Sequence, residues 1–221
     1  MPNKKMTLQT ADGQTIGAYL AEPVGKPNGG VVVVQEIFGV NAHIRSVVDG
    51  YAAAGYLAIA PAVFDTLEKD VELNYDGPGM EKGRTLVSAL GFDRALASVQ
   101  AAAQAVASAG KVGVVGYCWG GSIAYLAAIR LGLPAVSYYG GRNVQLVNEK
   151  AQGPLQFHYG LRDAHISEAD REAVRAANPT AEFYVYDAEH GFNCDARASY
   201  DPAAAQLARE RALAFFGRHL G

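Results

Sequence analysis

Apolar positions along this chain fall into short blocks whose spacing separates strands from helices. "MTLQT" and "QTIGAYL", joined by the turn residues "ADG", predict an opening hairpin around residues 6–20. "GGVVVVQE" at 29–36 holds four successive valines with no polar alternation, which predicts a strand buried on both faces. "NAHIRSVVDGYAAAG" then predicts a helix with Asn41 as its N-cap, and "YLAIAP" the next buried strand. From Asp65 to Gly83 the stretch "DTLEKDVELNYDGPGMEKG" is polar and turn-rich, and predicts a loop or short-helix insertion. An alanine-rich helix is expected over roughly 85–108.

Beyond that helix the alternation is regular. "KVGVVGY" predicts a strand, "GGSIAYLAAIRLG" a helix, and "PAVSYYG" and "PLQFHYG" two more strands. "SEADREAVRAAN" predicts a helix opened by Ser167, with acids in its first turn. "AEFYVYD" is a further strand, and "DPAAAQLARERALAFFGRHL" a closing helix with Pro202 near its start. This succession implies an α/β fold with a mostly parallel central sheet and helices on both faces, as one domain over residues 1–221.

Composition narrows the partners. Half of the 221 residues are apolar, enough for a sizeable core. The net charge of −3 comes without long runs of either sign, which argues against nucleic acid or an anionic membrane as partner. No apolar segment follows Lys4 and Lys5 to make a signal peptide, and no apolar run approaches a membrane span. Cys118 and Cys194 are too few for a disulfide framework, and a working thiol favours a reducing compartment, so the cytoplasm is expected.

Open α/β sheets carry their chemistry just beyond the carboxyl ends of the strands. Four such ends here bear reactive groups: Glu36 after the valine run, Cys118 in "VGVVGYCWGG", Asp163 in "FHYGLRD" and His190 in "YVYDAEHGF". "GYCWG" has the shape of the nucleophile elbow G-x-S-x-G with sulfur in place of the hydroxyl, and nucleophile, acid and histidine follow in α/β-hydrolase order. A strand turning sharply into a helix strains the residue at its tip and demands small neighbours, which Gly116, Gly120 and Gly121 supply. The thiol would then sit at a helix N-terminus, whose positive end favours a thiolate. An oxyanion would find the backbone N–H groups of Trp119 and of Ile37, the latter on the loop after the first core strand.

Plainer readings exist for each residue. Cys118 alone could be a buried filler, His190 a loop histidine, Asp163 a turn former and Glu36 an exposed strand-end carboxylate. The glycines lack the G-x-G-x-x-G spacing of a dinucleotide loop. His158, His165, His190 and Cys194 could ligate a metal, yet no H-x-H, H-E-x-x-H or C-x-x-C pair occurs, so no metal is expected. A non-catalytic binding protein, or a redox sensor pairing Cys118 with Cys194, is the rival from another class.

At these residues the sequence resembles the dienelactone hydrolase (carboxymethylenebutenolidase) family of the α/β-hydrolase superfamily. The resemblance rests on "VVVVQEIFGVNAHIR", "GYLAIAP", "GKVGVVGYCWGGSIAYLAA", "SYYGG", "FHYGLRD", "EHGF" and "ARERALAFF", in order along nearly the whole chain. It implies Cys118 as nucleophile, His190 as general base and acid, Asp163 as its orienting carboxylate and Glu36 as the group controlling thiol ionisation. The implied chemistry is hydrolysis of a small lactone or ester through an acyl thioester, with no cofactor, in a monomer or weak homo-oligomer. Glu36 could take the thiol proton itself, or hold the thiol neutral until substrate displaces it. The family's substrate-carboxylate clamp uses two arginines, one of them four residues past the histidine, where Cys194 stands here. Arg84 and Arg197 are the substitutes by proximity, and Phe38, Trp119, Tyr139 and Phe192 are expected to form an aromatic wall for the substrate.

Overall fold

The computed structural model of the chain describes residues 3–221, so Met1 and Pro2, the head of the segment read above for a leader, lie outside the described residues. The chain divides into two compact units, residues 1–113 with 220–221 and residues 114–219.

The first unit opens with the expected hairpin, β1 (Asn3–Gln9) and β2 (Thr15–Ala21), paired antiparallel from Asn3↔Ala21 to Gln9↔Thr15. The valine run forms β3 (Gly30–Val34), which pairs parallel with β4 (Leu57–Pro61), and β4 pairs antiparallel with β2. Val31 to Val34 expose no surface, which explains why the run carries no polar alternation. Each such burial is worth roughly 1.5–3 kcal/mol. Between β3 and β4 runs α1 (Ala42–Ala53), and the Asn41 side chain accepts a hydrogen bond from the Ile44 N–H at 3.2 Å, as its N-cap reading expected.

The next helix departs from expectation. α2 (Gly77–Ala105) starts well before residue 85, with Asp76 as N-cap accepting from the Gly79 N–H at 2.8 Å and Pro78 in the first turn. The last seven residues of the expected loop or short-helix insertion, 77–83, therefore belong to this long helix. α2 is also broken at Gly91, whose φ of 73° and ψ of 176° belong to no helix. The break strips carbonyls near it of their helical donors, and Arg94 reaches back to two of them, bonding Leu90 O at 3.0 Å and also Ala89 O.

Ahead of α2, the stretch 67–76 is fastened to the loop that follows β3. Leu73 N–H donates to Phe38 O at 2.9 Å, Gly39 bridges Glu72, Asn41 donates to the Tyr75 hydroxyl at 3.1 Å, and Arg45 pairs with Glu72 at 2.7 Å. Gly39 has a φ of 83°, and a Cβ there would lie 1.8 Å from Val71 O.

The second unit receives β5 (Val112–Tyr117), β6 (Ala135–Tyr138), β7 (Leu155–Gly160) and β8 (Glu182–Tyr186), each parallel to the next in that order. Among them run α3 (Trp119–Arg130), α4 (Glu168–Ala177) and α5 (Pro202–Leu220). Ser167 and Asp170 form a reciprocal capping box at the start of α4. Among the described residues no helix is long and apolar enough to cross a membrane. Counting both units, the strand pairing is mostly parallel and interleaved with helices.

Candidate active site

A single residue separates β5 from α3. Cys118 takes that position with φ 55° and ψ −123°, a conformation that costs about 1–3 kcal/mol for a non-glycine residue. The surrounding glycines make the turn possible. A Cβ on Gly116 would lie 1.8 Å from Gly120 O, and one on Gly121 would lie 2.6 Å from Tyr138 O. Cys118 N–H donates to Tyr138 O at 3.0 Å, and Gly121 N–H donates to Cys118 O at 2.9 Å. The thiol itself makes no capping bond to α3 and is half-buried. It faces the N-terminal end of a helix, where the dipole favours an anion. The Trp119 N–H belongs to the first helical turn, which supplies no internal acceptor for it.

Asp163 and His190 come from the loops after β7 and β8. His190 Nδ1 lies 2.7 Å from Asp163 Oδ2, and the Asp163 side chain exposes no surface. The other carboxylate oxygen, Oδ1, accepts the backbone N–H of His165 at 2.8 Å, so both oxygens are committed. The His190 imidazole also shares a side-chain hydrogen bond with Cys118. Burial is the largest influence on this imidazole and works against its protonation. The Cys118 charge, the hydrogen bonds to Asp163 and Cys118 and the Asp163 charge together outweigh it, and the pKa is pushed up to about 10. Thiol, imidazole and carboxylate thus form one connected chain in the second unit.

Two rings flank His190. Tyr139 packs at 5.1 Å between centroids and His165 edge-on at 5.0 Å. Tyr139, Phe192 and Trp119 are buried, with Tyr139 and Phe192 in edge contact at 5.3 Å. Arg197 reaches the histidine's loop: a Cβ on Gly191 would lie 2.7 Å from its guanidinium Nη1. His165 entered the sequence reading only as a possible ligand, and its D-x-H spacing from Asp163 is the signal for its place beside the dyad. His158 is wholly buried, with Nδ1 at 2.8 Å from the Tyr186 hydroxyl and Nε2 at 2.7 Å from Gln156 Oε1, which leaves neither nitrogen open to a metal. Burial, then the Arg211 charge, lowers its pKa to about 3, so it is neutral.

In the first unit, Glu36 follows β3 fully buried, with its backbone carbonyl accepting from Gln35 Nε2 at 3.2 Å. Ile37 is half-buried, and α2 presses on it so closely that a Cβ on Gly83 would lie 2.3 Å from Ile37 O. Phe38 is buried against the ring of Tyr75 at 4.4 Å. Arg84, next along α2, is exposed.

The profile of the dienelactone hydrolase family matches residues 16–220. The chain belongs to the dienelactone hydrolase family. Carboxymethylenebutenolidases of Pseudomonas putida and Pseudomonas knackmussii are each 33% identical to it, over 97% of this chain and 96% of theirs. A Klebsiella pneumoniae crystal structure, described as a candidate dienelactone hydrolase, superposes with a TM-score of 0.84 at 33% identity, over 99% of this chain and 100% of that one. A metagenomic dienelactone hydrolase-like phosphotriesterase shares the fold alone, with a TM-score of 0.76 at 19% identity. The fold is that of the α/β-hydrolases, and this dienelactone hydrolase family member is a carboxylic ester or lactone hydrolase acting on a small molecule.

Proposed function

We propose that Cys118 is the nucleophile of this hydrolase and that turnover passes through an acyl thioester. What supports the reading above all is the unbroken contact from Cys118 through His190 to Asp163, with His190 Nδ1 at 2.7 Å from the carboxylate. A neutral thiol is a weak nucleophile, whereas a thiolate paired with an imidazolium attacks readily. The raised His190 pKa is what such a pair requires.

In the first half-reaction the thiolate attacks the acyl carbonyl, forming a C–S bond, and the C–O bond to the alkoxy oxygen breaks. His190 gives that oxygen a proton. In the second, His190 takes a proton from water, the hydroxide adds to the thioester carbonyl, and the C–S bond breaks to return the thiolate. One water is consumed, and an acid and an alcohol result; in a lactone both stay on one molecule. The amides of Ile37 and Trp119 are assigned to the oxyanion, a role in which losing one donor costs about 10²–10³ in turnover. Glu36 is assigned to the control of thiol ionisation, since a carboxylate opposes thiolate formation. Amides are poor substrates, because the thiolate leaves the tetrahedral intermediate more easily than an amine does.

Arg197, resting on the loop of His190, is the candidate partner for a substrate carboxylate, and Arg84 is assigned a secondary part. The protein is read as a single catalytic domain over residues 1–221, monomeric or weakly self-associating, in a reducing compartment such as the cytoplasm.

The test is p-nitrophenyl acetate hydrolysis with rapid mixing. A burst stoichiometric with enzyme, abolished by iodoacetamide and absent from Cys118→Ala, is expected. Hydrolysis undiminished in Cys118→Ala overturns the reading, and rapid alkylation without any hydrolysis favours a redox sensor instead.

A further inference from the structure

Among the described residues, three other than glycine have a positive φ: Asp70, Cys118 and Tyr139. The elbow accounts for Cys118. Tyr139, at φ 38°, bends the chain as it leaves β6, although a glycine, better suited to that conformation, stands directly after it. A bulky aromatic held in this region is an outlier that persists only where its surroundings over-determine it, and such outliers gather at functional sites.

Its surroundings do over-determine it. The peptide joining Tyr138 to Tyr139 is pinned at both ends: its carbonyl accepts the Cys118 N–H at 3.0 Å, and its N–H donates to His158 O at 2.7 Å. His158 is immobilised in turn. Its Nε2–H donates to Gln156 Oε1, and its Nδ1 accepts from the Tyr186 hydroxyl, which itself accepts from Arg211 at 3.1 Å. Gln156 donates back to Arg211 O at 3.3 Å and to Glu182 at 2.9 Å, which closes the network. The Tyr138 ring stacks on His158 at 4.4 Å. From this anchored peptide the buried Tyr139 ring projects against His190 at 5.1 Å and Phe192 at 5.3 Å.

We infer that Tyr139 is a positioning residue of the Cys118–His190 pair: one rigid peptide fixes the amide of the nucleophile while its strained side chain sets the imidazole plane. The inference rests on the proposed role of Cys118. An unstrained residue would send the side chain elsewhere and leave the ring of His190 with a wall on one side only. Small angular errors at such a pair fall mainly on turnover, because they spoil the attack geometry and leave ground-state binding intact.

Tyr139→Gly removes the ring and suits the backbone, but it empties a fully buried site and so lowers stability, and its kinetics are read where it remains folded. Assayed well below its melting temperature, it is expected to keep the KM for p-nitrophenyl acetate within about twofold. Its kcat should fall roughly tenfold or more. The pH midpoint of Cys118 alkylation should shift with it, and Tyr139→Phe, which keeps the ring, should restore most of the loss. Should the glycine variant fail to fold, Tyr139→Asn, which tolerates a positive φ, replaces it in the same measurements. A kcat within twofold of the parent, or a loss of rate with no change in the alkylation profile, overturns the inference. Cys118→Ala run in parallel separates the two readings: if it stays active the thiol reading fails, whereas an inactive Cys118→Ala beside a fully active Tyr139→Gly removes positioning alone.

Discussion

The carbonyl oxygen of Gly120 lies 1.8 Å from where a Cβ on Gly116 would stand. No rotamer relieves that clash, because backbone meets backbone across the turn that holds Cys118. Gly116→Ala is expected to open the elbow and to lower turnover at least 100-fold, roughly the effect of a 1 Å displacement of the reacting group. Gly141→Ala is the control, since a Cβ there meets nothing within 4 Å. Esterase assays on the two purified variants decide it.

Asp163 satisfies two donors with two oxygens, the His165 amide and the His190 imidazole. An asparagine can offer its carbonyl to only one of them. If the oxygen stays with the His165 amide, the new NH2 faces His190 Nδ1 and drives the ring proton to Nε2, where it cannot act as base toward the thiol. Asp163→Asn should lose about 10⁴ in kcat, the size seen when a triad imidazole takes the wrong tautomer. A stopped-flow measurement would show the loss in the acylation step.

The two buried histidines bend the pH dependence of stability in opposite senses. His158 is neutral when folded, with a pKa lowered to about 3 against 6.5 for the unfolded chain. Its contribution is complete above 6.5 and is lost as pH falls toward 3, with a slope approaching one proton. His190, raised to about 10, contributes fully below 6.5 and loses that contribution as pH rises through 10. Urea titrations from pH 4 to 10.5 should therefore show a maximum near neutrality. His158→Asn should flatten the acid limb, and His190→Ala the alkaline one.

Gly91 has φ 73° and ψ 176°, in a region that is essentially glycine-only, and a Cβ there meets nothing within 4 Å. Gly91→Ala therefore isolates backbone strain from crowding. Chemical denaturation should show a loss of about 1–3 kcal/mol, with kcat measured well below the melting point unchanged.

Local signals were the readable ones. Asn41 and Ser167 cap their helices through bonds spanning three residues, and the valines of β3 announce their burial by having no polar neighbours. The strand-end positions of Cys118, Asp163 and His190 follow from the same alternation. The start of α2 was hidden because "DGPG" is equally good chemistry for a turn, and Asp76 acts as a cap only once the chain beyond it winds. The break at Gly91 was invisible for the matching reason: a glycine inside a helical pattern does not reveal its φ. Tyr139 is the harder case. Its place against His190 depends on β6 pairing with both β5 and β7, a relation among residues far apart in sequence. Arg197 is illegible for a different reason: it reaches Gly191 from only six residues away, through successive turns that carry no periodic signature.

The fastening of residues 67–76 to the loop at 37–41 bears on how this scaffold can be re-engineered. A polar, turn-rich insertion looks like free territory for new sequence. Here Gly39 and Gly83 are spaces carved for their opposite numbers, and Glu72 and Tyr75 are gripped by Arg45 and Asn41. Loop exchange among relatives should thus succeed only when both stretches travel as one cassette, and libraries randomised on either side alone should yield mostly inactive clones.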